Sequence, residues 1–163
     1  MSNNKTVENL NKALQMEISA SHQYQLHAHV LDDWGLDRLA AKMREEQAEE
    51  AGHSDLFIER ILFLKGTPEI AFEKTPKRAE TLRDMFKADL ADEEDAIAFY
   101  TRAAREAYEA DDIGSRRLFE TIVLDEEGHK AWLELQLDLI ERIGEQAYSA
   151  KLISVAKSED SSV

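Results

Sequence analysis

Apolar positions recur every three or four residues in four long stretches of this chain, and each stretch therefore predicts an amphipathic α-helix. The first runs through Val7, Leu10, Leu14, Glu17, Ser21, Tyr24, Ala28 and Leu31 and stops at Asp32-Asp33-Trp34-Gly35, with glycine where a helix end favours it. A second uses Leu36, Leu39, Met43, Glu46, Glu50, His53, Phe57 and Leu64 and ends at Gly66. The third passes through Leu82, Phe86, Asp89, Glu93, Ala96, Tyr100, Ala103 and Ala107. The fourth uses Phe119, Ile122, Glu126, His129, Leu133, Ile140 and Ile143, and Gly144 closes it. A short fifth helix is expected within Glu145 to Val155.

Four long helices imply an all-α four-helix bundle, and the connections select its topology. Tight turns join the first helix to the second and, near Asp111 to Gly114, the third to the fourth. Between the second and third lies the segment Lys65 to Ala79, which holds both prolines, Pro68 and Pro76. A helix of about 29 residues is ~43 Å long, and about fifteen extended residues reach ~50 Å. The connection can therefore run the length of the bundle and leave the second and third helices parallel. One domain is expected over residues 1–156, followed by a polar, disordered tail at 157–163.

Composition narrows the function classes. The 163 residues carry a formal net charge of −14, which argues against nucleic-acid or anionic-membrane partners and is compatible with cationic ligands. No cysteine is present, so disulfides, Fe–S clusters and thiolate zinc sites are excluded. The stretch from Met1 to Lys12 is polar, unlike a signal peptide, and no apolar run approaches the ~20 residues of a membrane span. A cytoplasmic location is expected.

Ionisable residues interrupt every apolar stripe near its middle. Glu17, Glu50, His53, Glu93, Glu126 and His129 all fall where the period assigns the interior. Buried carboxylates need protons or cations to remain there. Glu50 and His53 are three apart, as are Glu126 and His129, so each pair shares a helix face and can offer oxygen and imidazole nitrogen to one ion. Such donors suit iron or manganese better than copper, and are compatible with zinc.

A lone Glu-x-x-His carries little weight; its duplication carries much. Shifting the first half by 76 residues maps Glu17, Tyr24, Glu50 and His53 onto Glu93, Tyr100, Glu126 and His129. In each antiparallel hairpin the single Glu and the Glu-x-x-His fall at similar height, so all six converge at mid-bundle. Two such helices plus two single-Glu helices form the constellation of di-iron and di-manganese carboxylate proteins. Tyr24 and Tyr100, two turns beyond Glu17 and Glu93, are either core aromatics with satisfied hydroxyls or side chains that reach metal carboxylates, and Tyr24 is the candidate catalytic side chain. Glu45, Glu46 and Glu49 form an acidic cluster that is either a solvated face or an inner transfer site. Asp89, one turn before Glu93, is a candidate supporting group, while His22, His27 and His29 are expected at surfaces or interfaces.

From Leu10 to Tyr148 the chain resembles the bacterioferritins. The segments LNKALQMEISASHQYQLHA, DWGLDRLA, FIERILFLKGTP and LDEEGHKAWLELQLDLI carry the likeness beyond the metal motif. The resemblance implies a ferritin-like bundle with one long crossover and a fifth helix, in a hollow shell of twenty-four subunits with two irons bound per subunit. It implies terminal ligands Glu17 and Glu93, bridging ligands Glu50 and Glu126, and capping ligands His53 and His129, with Tyr24 beside the centre. The implied activity is ferroxidase: Fe²⁺ is oxidised by O₂ or H₂O₂ and deposited as mineral inside the shell. Haem-binding members place Met directly after the bridging Glu of the second helix, where this chain has Ala51. A haem-free subunit is therefore expected, alone or mixed with a haem-binding one. The competing readings are a peroxide-consuming di-iron or di-manganese enzyme of the same fold, and a bundle whose polar residues are relics.

Overall fold

The computed structural model describes residues 2–154. It is built from α1 (Ser2–Asp33), α2 (Asp37–Phe63), α3 (Leu82–Glu109), α4 (Ile113–Ile143) and a short α5 (Glu145–Ala150). The fifth helix is thus shorter than the pattern suggested, and the expected tail at 157–163 lies outside the described residues. No helix of the described residues is long and apolar enough to cross a membrane.

Cross-helix contacts give the directions. Asn9–Glu106 and His27–Asp89 pair α1 with α3 in antiparallel register. Arg60–Ser115 and His53–Asp125 do the same for α2 and α4. With α1 and α2 antiparallel through their tight turn, α2 and α3 run parallel, so the connection between them crosses the bundle. That connection is stitched to α1 by side chains. The Asn11 amide donates to the Thr67 carbonyl and accepts from the Glu69 N–H. Ser19 Oγ accepts from the Glu73 and Lys74 N–H groups, and the Gln23 amide pairs both ways with the Lys77 backbone.

The two hairpins repeat one another in their turns. Trp34, Gly35 and Leu36 donate N–H bonds to Val30, Asp32 and Leu31; Ala110, Asp111 and Asp112 donate to Glu106, Tyr108 and Ala107, the same pattern 76 residues on. This helix-ending motif needs a left-handed residue. Gly35 supplies it at φ 80°, whereas its counterpart Asp111 adopts φ 57° with a side chain attached. Each second-hairpin helix has a side-chain cap: Thr81 Oγ1 accepts from the Asp84 N–H, and the Asp112 carboxylate from the Ser115 N–H.

The core divides into two apolar clusters. One gathers Leu31, Met43, Phe86, Leu133 and Ile140 near the α5 end; the other gathers Leu10, Leu14, Phe57, Tyr100 and Phe119 toward the opposite end. The ionisable layer lies between them, with apolar packing above and below it.

Candidate metal centre

Each α-helix contributes to this layer the residues that its own period turns inward. Glu17 comes from α1, Glu50 and His53 from α2, Glu93 from α3, and Glu126 and His129 from α4. None is more than 8% exposed, so each has exchanged bulk water for its neighbours. Their donor atoms form two overlapping groups, Glu17–Glu50–His53–Glu126 and Glu50–Glu93–Glu126–His129, with the atoms of each group within 4.8 Å of one another. Glu50 and Glu126 belong to both, which is the geometry of two adjacent cations sharing two carboxylates.

Both imidazoles turn Nδ1 toward the carboxylates. His53 Nδ1 lies 3.4 Å from Glu17, 3.4 Å from Glu50 and 3.1 Å from Glu126. His129 Nδ1 lies 3.1 Å from Glu50, 3.5 Å from Glu93 and 3.3 Å from Glu126. Yet Glu17 Oε2, Glu50 Oε1, Glu126 Oε1 and His129 Nδ1 have no hydrogen-bond partner although buried. Lone pairs that crowd together without bonding one another point at a common volume, and three carboxylates with one imidazole per group match the chemistry of a hard divalent cation.

Electrostatics without metal tell the same story. Burial, then the Glu50 charge, pushes the Glu17 carboxyl well above the usual range; burial and Glu126 do so for Glu93. Burial also opposes ionisation of Glu50 and Glu126, but hydrogen bonds from the neighbouring carboxyls and imidazoles outweigh it and both titrate low. For His53 and His129, burial disfavours the charge, and the accepting carboxylates of Glu126 and its neighbours more than reverse that. The layer therefore favours protons on Glu17 and Glu93 and on the imidazoles, and ionised carboxylates at Glu50 and Glu126.

Two tyrosines fix Glu93 and Glu17 across the bundle. Tyr24 Oη donates to Glu93 at 2.6 Å, and Tyr100 Oη donates to Glu17. Burial, and then the facing carboxylates, raise both phenols well above their ordinary value, so they remain donors. The outward imidazole nitrogens have carboxylates as well. His53 Nε2 meets Asp125 at 3.2 Å, and His129 Nε2 meets Glu46 at 2.7 Å and Glu49 at 3.3 Å. Asp125 was not singled out from sequence, although the 76-residue shift maps Glu49 onto it.

Of the acidic cluster, Glu46 and Glu49 approach His129, whereas Glu45 is exposed and outside that group. Glu46 is also paired with Lys42. His27 departs from expectation. Instead of standing at a surface it is 1% exposed, its Nε2 2.9 Å from Asp89. The reason is Asp89, a carboxylate on the inner face of α3 that requires a partner. His22 is exposed and packs edge-on against Phe72.

With this geometry in hand, the relatives are informative. The ferritin-like domain model matches residues 7–143. A bacterioferritin of Rhodobacter capsulatus is 42% identical over 145 residues, 89% of this chain and 90% of that one. Another, from Brucella melitensis, is 42% identical over 144 residues, covering 88% and 89%. The chain belongs to the bacterioferritin family. Among solved bacterioferritins, that of R. capsulatus, described with a metal-free dinuclear site and a haem iron on a crystallographic special position, superposes with a TM-score of 0.91. It is 40% identical, with 94% of this chain and 96% of that chain covered.

Proposed function

We propose that this chain is an iron-storage ferroxidase: it binds two Fe²⁺ ions as substrates at the paired site, passes their electrons to an oxidant, and deposits the ferric product as mineral inside a hollow shell. The observation that carries the reading is the pair of donor groups sharing Glu50 and Glu126. Membership of the bacterioferritin family supports storage as the purpose. Each Fe²⁺ gives up one electron, so two together reduce H₂O₂ and two protons to water, or O₂ and two protons to H₂O₂.

The residues' positions support the following roles. Glu50 and Glu126 would bridge the ions, holding them ~3.5–4 Å apart as in other two-metal sites. Glu17 and Glu93 would be terminal ligands, with Tyr100 and Tyr24 hydrogen-bonded to them. His53 and His129 would bind through Nδ1, while Asp125, Glu46 and Glu49 at Nε2 set the tautomer and ring angle. Four carboxylates neutralise two Fe²⁺, so loss of electrons leaves positive charge that favours hydroxide and oxide. Tyr24, beside the Glu93 position, is our candidate for a further electron donor. Glu46 and Glu49 next to His129 would hand iron onward, with Glu45 contributing from the surface.

Haem does not fit the usual way. Ala51 is exposed on α2 and offers no thioether; Met43 and Met85 are fully buried and Met16 lies on α1. We therefore place this chain as a haem-free subunit of a twenty-four-subunit cytoplasmic shell, homomeric or mixed with a haem-binding subunit.

Anaerobic Fe²⁺ titration of the metal-free protein, followed by O₂ or H₂O₂, tests the reading. Storage requires oxidation well beyond two irons per chain, in a particle of shell mass by light scattering. Glu50→Ala and His129→Ala should each lose the fast phase, by about 100-fold or more for a ligand removed from the reacting pair. Unchanged fast kinetics in both variants would refute the site. A small oligomer that stops at two irons would favour the non-storage enzyme.

A further inference from the structure

The metal layer is reached by a cavity of about 360 Å³ between α1 and α3. Its inner end is formed by Glu17, Glu50, Glu93 and Glu126, and its exposed end by Glu73 and Lys74 of the crossover with Asp92 and Asp95 of α3. Lys74 is the one cationic side chain among its lining residues. Its Nζ reaches across the opening to Asp92 at 2.6 Å, from a backbone anchored on Ser19 Oγ. The lysine thus caps, with a tether but no buried contact, an opening whose other charged lining residues are all acids.

Asp89 stands between the two ends, one turn of α3 before Glu93. It is 3% exposed; Oδ1 is held by His27, while Oδ2 has no hydrogen-bond partner. Leaving a buried carboxylate oxygen unsatisfied is costly. The internal repeat shows that the fold does not demand it: the 76-residue shift puts Ala103 at the place of His27 and Ala13 at the place of Asp89, and both alanines are buried. The pseudo-equivalent place between α1 and α3, at the opposite end of the bundle, therefore does without this polar pair. Asp89 is present on one side alone, in the cavity, with a free oxygen next to a terminal carboxylate.

We propose that Asp89 is a staging ligand for the incoming divalent cation, which enters beneath the crossover, displaces Lys74 from Asp92, and passes from Asp89 Oδ2 to the Glu93–His129 position. The inference rests on the two-ion reading of the centre. It makes the two metal positions inequivalent: the ion held by Glu93 and His129 is the one exchanged from the cavity, and His27 keeps Asp89 aimed along the route.

Co²⁺ is a suitable probe, because its visible absorption reports both occupancy and coordination without turnover. Stopped-flow mixing of the metal-free assembled protein with Co²⁺ gives a loading rate, and the end point gives the stoichiometry. Asp89→Asn keeps an oxygen for His27 but removes the charge. It should still bind two Co²⁺ per chain with an unchanged final spectrum, while loading about tenfold more slowly. Lys74→Met removes the positive cap and should load several-fold faster. Wild-type loading rates in both variants would overturn the route. An Asp89→Asn protein that binds fewer than two Co²⁺ would overturn staging, making Asp89 part of the centre itself. Should that variant fail to fold, an unaltered rate in Lys74→Met alone overturns the proposal. A wild-type protein that cannot take up two Co²⁺ refutes the two-ion centre instead, which separates the two failures.

Discussion

Protons and metal ions compete for the same lone pairs in the buried layer. Burial and their neighbours' charges favour protons on Glu17 and Glu93, and the surrounding carboxylates favour the charged form of both imidazoles. Ligation requires all four to be deprotonated. Metal binding should accordingly release protons. Affinity for Co²⁺ or Zn²⁺ should fall steeply as pH drops, because acid favours the proton-loaded state. Calorimetry of Zn²⁺ binding in buffers of different ionisation enthalpy checks this, and release near zero would contradict the charge pattern. At this scale the six inward donors could be read from sequence because they interrupt an apolar period in duplicate. The His27–Asp89 pair could not be deciphered as a unit: its members sit 62 residues apart with no repeat to link them. Asp125 was hidden differently, since adjacent acids on a helix look like solvated surface until the fold brings His53 to one of them.

At the level of helices and turns, the repeat offers an internal control. Gly35 and Asp111 occupy the same left-handed turn position, but a side chain there costs about 1 kcal/mol or more. Asp111→Gly should raise stability by about 0.5–1 kcal/mol, measurable as a shift in urea midpoint with an unchanged slope. No gain would mean that Asp111 makes a compensating interaction. The neighbouring cap behaves oppositely. Burial pushes the Asp112 carboxyl up, but hydrogen bonds from Ser115 and the Arg60 guanidinium 2.5 Å away bring it below the usual carboxylate range. A depressed folded value means that its stabilisation is present above the unfolded pKa and is lost as pH falls through the folded one. Asp112→Asn should therefore destabilise the protein near neutrality and converge with wild type in acid; an equal deficit at both ends would contradict this. Helix identity and the long crossover were legible because apolar spacing and chain length are local arithmetic. The six-residue length of α5 was not, since a short terminal helix depends on what it packs against.

On the scale of the molecule, an acidic chain is held together by interior layers of different character: oil at both ends, ions in the middle. The net charge of −14 could be read directly, whereas the path of the crossover along α1 could not, because side-chain amides such as Asn11 and Gln23, rather than a repeating pattern, hold it there. That mode of attachment has a consequence. Each candidate donor group draws residues from both hairpins, so bound metal would add a rivet between halves that the chain itself joins by a strap. Proteolytic nicking within residues 69–72 should then leave a particle whose melting temperature depends on metal far more than that of the uncut protein, as calorimetry with and without a chelator would reveal. A molecule fastened in this way would be steadied by its own cargo.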